Sequence, residues 1–198
     1  EGILDITKTV WESPAAENSG VWDTVPFFPE YTGYLGQCVK TLSFKATAIT
    51  HRKEKPIFYT PLAHSIEGNI LCGSFRSAAI YELCERMVPG FCIDAAVLDG
   101  HKGLLGAVFQ VKKTKLRQEG YQQNLLRAIL AMPDAPQVVM AVDEDVDIYS
   151  AEDLIWAQTT RVNPQTGIIT TGGERKRQGN PMEELCPDSG RQGAIGID

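Results

Sequence analysis

A cluster of carboxylates follows directly on an apolar run in this chain. Its members are Asp143, Glu144, Asp145 and Asp147. Side chains of this type bind divalent cations, transfer protons or favour the start of a helix. A calcium-binding loop needs glycine at its sixth position and glutamate at its twelfth, and counted from Asp143 these positions are Ile148 and Leu154. A calcium loop is therefore excluded.

The residues after this cluster have the pattern of a helix start. Ser150 and Asp153 form an S-x-x-D capping pattern. The apolar face of the predicted helix consists of Ala151, Leu154 and Ile155. We therefore expect a turn between a strand and a helix. A binding role for part of the cluster stays open, because the carboxyl ends of such strands often border clefts.

A second candidate is Glu30, which lies in the segment "PFFPEYTGY" between proline and aromatic residues. A carboxyl group held in a stiff, partly desolvated loop has a raised pKa. Such a group can transfer a proton near neutral pH, which makes Glu30 a candidate general acid. The alternative is an ordinary solvated loop acid.

Other residue types give weaker patterns. The three histidines, His51, His64 and His101, lie too far apart in sequence to form a local metal-binding motif. The segment "TTGGE" around Gly172 has two adjacent glycines but lacks the rest of a phosphate-binding motif. Irregular cysteine spacing without C-x-x-C predicts reduced and mostly buried thiols. The cysteines are Cys38, Cys72, Cys84, Cys92 and Cys186.

Composition narrows the class of protein. With 198 residues, of which 43% are hydrophobic, the chain can bury a core in one large or two small domains. A net charge of -6 with scattered basic residues argues against a nucleic-acid partner. We find no apolar run that reaches membrane-span length and no signal-peptide pattern. We therefore expect a cytoplasmic protein without a membrane span.

Sequence periodicity predicts an α/β (α+β mixed) fold. The first part, residues 1–62, is β-rich, with a strand in "GILDITKTV" and a strand pair around the charged turn "HRKEKP". In residues 63–163 we expect a mixed sheet with helices, the first helix being capped by Ser74. Residues 164–198 read as an extended Gly/Pro-rich tail that wraps over another surface or is mobile. The chain resembles a piece of a longer protein.

Four segments together resemble the UbiD family of decarboxylases in order and approximate spacing. They are "PEYTGY" (Pro29 to Tyr34), "THRKEKPIFY" (Thr50 to Tyr59), "VVMAVDEDVDIYSAEDLIWAQTTRV" (Val138 to Val162) and the closing "GAIGID". The resemblance covers nearly the whole chain. It implies reversible, non-oxidative decarboxylation of an aromatic or unsaturated acid.

The resemblance also implies cofactors and partners. Members of the family use a prenylated flavin (prenylated FMN), a divalent metal such as manganese and often potassium. They combine a flavin-binding domain on a split β-barrel with a C-terminal domain that mediates oligomers. This chain is similar to the end of the barrel followed by the C-terminal α/β domain. The family's metal ligands and catalytic arginine would then belong to an N-terminal flavin-binding segment or subunit.

Aligned with the family's loop, Glu30 matches the proton donor to the carbon that loses carbon dioxide. The family has a second acid five residues earlier, where this chain has Val25, so the usual acid–arginine–acid network is incomplete. Asp23 is a candidate substitute. Tyr31 and Cys72 match positions that line the family's substrate pocket, with ordinary packing as the alternative.

Two hypotheses about function follow. In the first, the chain is the C-terminal portion or a split subunit of a UbiD-like carboxy-lyase, with Glu30 as proton donor. In the second, it is a non-catalytic assembly subunit of such a complex. The resemblance further implies that the acidic turn at Asp143 has a structural role and is not the reacting site.

Overall fold

The computed structural model describes residues 1–12, 26–29, 35–37, 40–57, 66–97, 105–133, 135–175 and 191–198. The chain divides into two compact units, Glu1–Ala63 and His64–Asp198. Each unit is described by itself below.

The first unit contains two antiparallel strand pairs in its described residues. Strand β1 (Gly2–Trp11) pairs with β4 (Lys40–Ala46), and β2 (Pro26–Pro29) pairs with β3 (Leu35–Gln37). The predicted strand in "GILDITKTV" is confirmed.

The predicted strand pair around "HRKEKP" is wrong in one respect. Strand β4 pairs with β1, and residues 51–57 contain no strand. The rest of the expected second strand lies outside the described residues. Local alternation identified β4 correctly but could not identify its partner, because the ladder bonds join residues far apart in sequence.

The β1–β4 ribbon, meaning Gly2–Trp11 and Lys40–Ala46, leaves large apolar side chains exposed. The exposed fractions of Ile3, Ile6 and Phe44 are 63%, 76% and 61%. Isolated two-stranded ribbons are at best marginally stable in water because they cannot bury an apolar face. The ribbon therefore keeps apolar side chains open to solvent, where other polypeptide can cover them.

The second unit is built on a five-stranded mixed sheet, which confirms the predicted mixed α/β fold. Its strands are β5 (Cys92–Ala96), β6 (Gly106–Val111), β7 (Val138–Asp143), β8 (Ile168–Arg175) and β9 (Arg191–Ile197). Their order is β5-β6-β7-β9-β8. The three central strands are parallel, and both edge strands run antiparallel to their neighbours.

In the described residues, three α-helices cover the two faces of this sheet. They are α1 (Ile66–Met87), α2 (Tyr121–Leu130) and α3 (Ala151–Arg161). Successive residues of a strand point to opposite faces. Phe109 of β6 therefore packs with α1 and α2, while Val108 packs with α3. Both side chains are fully buried, which places them among the residues that hold the layers together.

Helix α1 begins well before the predicted cap at Ser74, so that cap is wrong. The helix starts at Ile66, and the Ser74 hydroxyl donates a hydrogen bond of 3.0 Å to the carbonyl oxygen of Ile70. A serine in the middle of a helix satisfies its hydroxyl in this way.

The described part of residues 164–198 completes the sheet. Strand β9 lies between β7 and β8, so its backbone is bonded on both sides. A Cβ added at Gly196 would lie 3.3 Å from Leu130 and 3.5 Å from Ile169. The small residues of this segment therefore allow neighbouring apolar side chains to approach it closely. No helix in the described ranges is long and apolar enough to cross a membrane.

Candidate functional site

The acidic turn connects β7 to α3 and is held by core packing and hydrogen bonds. The buried side chains of Val146 and Ile148 anchor it in the core shared with α3. From β6, the amide of Gln110 donates hydrogen bonds to the carbonyl oxygens of Glu144, at 3.1 Å, and Val146, at 2.9 Å. The path of the turn is therefore set by packing and by backbone hydrogen bonds.

The carboxylates of this turn have partners within the protein. Asp145 accepts two hydrogen bonds from the Arg161 guanidinium, at 2.8 and 2.6 Å, and these bonds lower the pKa of its carboxyl group. Glu144 pairs with Lys112. In the part of the chain that the structure describes, no three His, Cys, Asp or Glu side chains are grouped as metal ligands. Asp145 and Glu144 thus each have a cationic partner on a neighbouring segment of the protein.

The predicted capping pattern is confirmed. Ser150 is the N-cap of α3, and its hydroxyl oxygen accepts a hydrogen bond of 3.2 Å from the backbone N–H of Asp153. Asp147 accepts a further bond of 2.9 Å from the N–H of Tyr149. These contacts satisfy backbone donors before and within the first turn of the helix.

A cavity of about 310 Å³ opens at the carboxyl ends of β6, β7 and β9. The start of α2 and the end of α3 border it, and these helices lie on opposite faces of the sheet. Crevices at this edge of α/β sheets are common ligand sites. The lining of this cavity is mixed, with apolar side chains such as Val111, Met140 and Leu154 beside polar and charged ones. Its charged lining residues are Lys113, Glu119, Asp143, Arg161 and Asp198.

Gln122 binds two acidic residues at this cavity through its side-chain amide, and only 2% of its surface is exposed. Its amide nitrogen donates to Glu119 at 2.7 Å and to Asp198 at 3.2 Å. The bond from Gln122, followed by that from Lys113, lowers the pKa of Glu119. Lys113 also lies 3.7 Å from Asp143, so one ammonium group pairs with two carboxylates of this cavity. The geometry therefore singles out no reacting group in this cavity.

Sequence reasoning did not identify Lys113, Gln122 or Asp198. The available signal was their position after or beside the carboxyl ends of predicted strands. Cys72, the predicted site residue that falls within the described ranges, does not line this cavity.

Glu30 and Tyr31 lie outside the described residues, as do Val25 and Asp23. The described strands end close to this segment: β2 stops at Pro29, and β3 begins at Leu35. The two histidines His64 and His101 also lie outside the described part. The exposed His51 ring lies 2.8 Å from the carbonyl oxygen of Arg52.

Cys72 lies on α1 and is exposed, whereas Cys84 and Cys92 are buried, so the described thiols are mostly buried as expected. Leu71 and Phe75, the neighbours of Cys72, are 61% and 72% exposed. Together with Ala79, which is also exposed, these residues form an outer apolar stripe on α1 between residues 71 and 79. The thiol of Cys72 is thus available to a ligand or to further polypeptide.

Comparison with known proteins identifies relatives of this chain. A family model described as "3-octaprenyl-4-hydroxybenzoate carboxy-lyase C-terminal domain" matches residues 69–198. Gallate decarboxylase of Lactiplantibacillus plantarum is 32% identical over 157 residues, which cover 78% of this chain and 32% of that protein.

Solved structures agree with this relationship. The 3,4-dihydroxybenzoic acid decarboxylase of Klebsiella pneumoniae matches with a TM-score of 0.83 and 30% identity, over 100% of this chain and 40% of that one. The UbiD-class enzyme HmfF from Pelotomaculum thermopropionicum, solved with FMN, matches with a TM-score of 0.79 and 23% identity, over 100% and 39%. This chain therefore spans well under half the length of these relatives.

Proposed function

The chain belongs to the UbiD family of decarboxylases, and we propose that it is the C-terminal part of an enzyme that reversibly decarboxylates an aromatic or unsaturated carboxylic acid. The observation that carries this proposal is the family match over residues 69–198, together with the loop segment around Glu30. The enzyme would act in the cytoplasm.

Glu30 is the proposed proton donor. When carbon dioxide leaves, the carbon that carried it must gain a proton, and a carboxylic acid with a raised pKa can hold that proton near neutral pH. The proline and aromatic neighbours of Glu30 favour such a pKa. Val25 in place of the second loop acid removes one acid of the family's network, and Asp23 is the proposed substitute.

The cofactors of the proposed enzyme are prenylated FMN, manganese and potassium. The flavin supplies the electron-accepting chemistry of decarboxylation when it is bound. The described residues contain no group of three His, Cys, Asp or Glu side chains that could bind the metal by itself. The proposal gives the binding of all three groups mainly to an N-terminal flavin-binding segment or subunit.

The exposed apolar residues of the β1–β4 ribbon support a partner of this kind. A ribbon with Ile3, Ile6 and Phe44 open to water gains stability when further strands or helices cover it. A flavin-binding barrel that continues from β1 and β4 provides that cover. The complete enzyme is proposed to be a homo- or hetero-oligomer.

Tyr31 and Cys72 are proposed to line the substrate pocket. Tyr31 offers a flat aromatic surface on which an aromatic acid can stack. The exposure of Cys72 beside Leu71 and Phe75 supports this role, because an apolar wall suits the ring or alkene of a small acid.

The role of Glu30 is tested by Glu30→Gln in the complete enzyme, with carbon dioxide release as the readout. We expect turnover to fall by a factor on the order of 10²–10⁴, as is typical when a general acid is removed. Glu54→Gln, a change at an exposed loop acid, is the matched control and should leave turnover unchanged. Flavin content is measured in both variants. Undiminished turnover of Glu30→Gln at normal flavin content would refute the role.

A non-catalytic assembly subunit is the second candidate, favoured by Val25 at the position of a family acid. Val25→Glu separates the two functions. If the site has lost its activity because this acid is missing, the variant should gain activity in the complex. If the complex is already active and stays unchanged, the acid network has been rearranged around Glu30 and the enzymatic function stands.

A further inference from the structure

The cavity beside Gln122 lies where the connections of the sheet change sides. The chain passes from β6 to β7 through α2, which packs on one face of the sheet, and it leaves β7 through α3, which packs on the other face. The two connections diverge, and this leaves an opening at the carboxyl ends of the parallel strands, where open α/β sheets bind ligands. Val111, Asp143 and Ile197, at the ends of β6, β7 and β9, all line the cavity.

The outer wall of this cavity is held by hydrogen bonds within the protein. The Gln123 amide donates to the carbonyl oxygen of Thr166 at 2.9 Å, which joins the start of α2 to the loop after α3. In that loop, the Gly167 N–H donates to the Asn163 carbonyl at 2.7 Å, and the Gly167 carbonyl accepts the Asp198 N–H at 2.8 Å. These contacts set the shape of the cavity, and its volume of about 310 Å³ suits a small molecule.

Carboxylates outnumber ammonium groups in the lining. Lys113 lies 3.3 Å from Glu119 and 3.7 Å from Asp143, and the second distance is too long for a hydrogen bond. Asp198, the third acid of the lining, accepts a hydrogen bond of 3.2 Å from the neutral amide of Gln122. The lining thus has three carboxylates for one ammonium group, apart from Arg161.

Arg161 does not offset this excess of negative charge. Its guanidinium donates to both oxygens of Asp145, at 2.8 and 2.6 Å, and lies over the Trp156 ring, 4.5 Å from the ring centroid. The start of α2 adds only about half a positive elementary charge. The cavity therefore keeps a negative potential, which attracts cations and repels anions.

Apolar side chains form another part of the lining. Met140 of β7, together with Leu154 and Ala157 of α3, lines the cavity. A hydrocarbon group placed on these side chains leaves water without losing a hydrogen bond. In the described ranges no three His, Cys, Asp or Glu side chains are grouped as metal ligands. The excess charge and the apolar wall together therefore favour an organic cation over a bare metal ion.

We propose that this cavity binds a small organic cation, a primary amine on a short apolar body. Its ammonium group lies against Glu119 and Asp143, and its apolar body lies on Met140 and Leu154. The ammonium group of Lys113 is displaced to solvent on its flexible chain. The proposed function assigns no role to these residues, so the inference does not rest on it.

The test is titration calorimetry of the complete enzyme with benzylamine as the probe. Benzyl alcohol, which has the same ring without the charge, is the matched ligand. We expect saturable binding of benzylamine that is about tenfold or more tighter than that of benzyl alcohol, because the charge-assisted bonds to the carboxylates are lost in the alcohol. Benzylamine that binds no more tightly than benzyl alcohol would overturn the proposal.

Three variants locate the binding in this cavity. Asp143→Asn should weaken benzylamine binding by about tenfold or more, because it removes one carboxylate. Glu144→Gln removes the next acid of the same turn, which pairs with Lys112 and does not line the cavity, and it should leave binding unchanged. Lys113→Gln should strengthen binding, because it removes the competing ammonium group. Circular dichroism checks that each variant is folded.

Two results with folded variants contradict the proposal. Equal binding by Asp143→Asn and Glu144→Gln would show that benzylamine binds elsewhere. Loss of binding in Lys113→Gln would show that the ammonium group attracts the ligand and does not compete with it.

Discussion

At the residue scale, two serine hydroxyls have opposite roles in their helices. Ser150 accepts a hydrogen bond from the backbone at the start of α3, while Ser74 donates one to a carbonyl inside α1. The first satisfies an N–H group that has no partner within the helix. The second bonds to a carbonyl that already belongs to the helix ladder, so it adds little.

We therefore expect Ser150→Ala to lower the free energy of unfolding by about 1 kcal/mol. Ser74→Ala, the matched control, should change it by about 0.5 kcal/mol or less and can be stabilising, because alanine has the higher helix propensity. Urea unfolding of the complete protein measures both. Equal losses in the two variants would contradict the assignment of the cap to Ser150.

The pair of Asp145 and Arg161 predicts a dependence of stability on pH. Arg161 holds the pKa of Asp145 below its ordinary value of 3.8. The stabilisation is thus fully present above that value and is lost as the pH falls through the lower pKa of the folded state. Both groups are exposed, so the effect is screened by salt.

We expect Asp145→Asn to flatten the acid side of the curve of unfolding temperature against pH. Arg161→Gln should do the same, because either change removes the pair. The difference from the unaltered protein should shrink at high salt. A variant curve that runs parallel to the original below about pH 4 would contradict this explanation.

At the scale of elements, the β8–β9 hairpin depends on a close approach at Gly193. A Cβ there would lie 2.7 Å from the carbonyl oxygen of Thr171, which is closer than two such atoms can pack. A Cβ at Gly172 on the neighbouring strand would meet nothing within 4 Å. The two glycines thus differ in the space beside them.

Gly193→Ala should therefore destabilise the sheet by about 1–3 kcal/mol, because the strands must move apart. Gly172→Ala is the control and should be neutral or slightly stabilising, because alanine restricts the unfolded chain. Thermal unfolding of both variants measures the difference. A loss at Gly172 as large as that at Gly193 would show that the spacing of the strands is not the cause.

The sequence predicted those elements whose sequence signals span only a few residues. The strand before the acidic turn, which is β7, and the Ser150 cap were predicted because periodicity and capping act over a few residues. The start of α1 was missed because Gly68 and Gly73 interrupt its pattern. The pairing of β1 with β4, and the insertion of β9 beside β7, depend on contacts between distant residues and had no local signal.

The candidate site was predictable to a different degree. The proline and aromatic neighbours suggested Glu30, and the family resemblance suggested Tyr31 and Cys72. The comparisons then confirmed the family. The exposure of Cys72 could not be predicted, because a cysteine on a helix is equally compatible with a core position. The cavity beside Gln122 requires two helices on opposite faces of one sheet, which is a tertiary property.

At the scale of the whole molecule, the β1–β4 ribbon should be stable only when further polypeptide covers it. In the complete enzyme we expect the amides of β1 and β4 to exchange hydrogen slowly, as those of β7 do. In the chain expressed alone, the ribbon should exchange rapidly while β7 stays protected. Hydrogen exchange read by mass spectrometry separates the two segments. Slow exchange of β1 in the chain alone would show that the ribbon needs no partner.

The position of β9 between β7 and β8 also constrains how this protein is made. A ribosome synthesises β7 first and β8 later, yet the strand that joins them leaves the exit tunnel after both. Until residues 191–197 emerge, the nascent chain presents the unpaired backbone of β7 and β8 to chaperones and proteases. A premature stop codon just before Arg191 would therefore leave the centre of the sheet open.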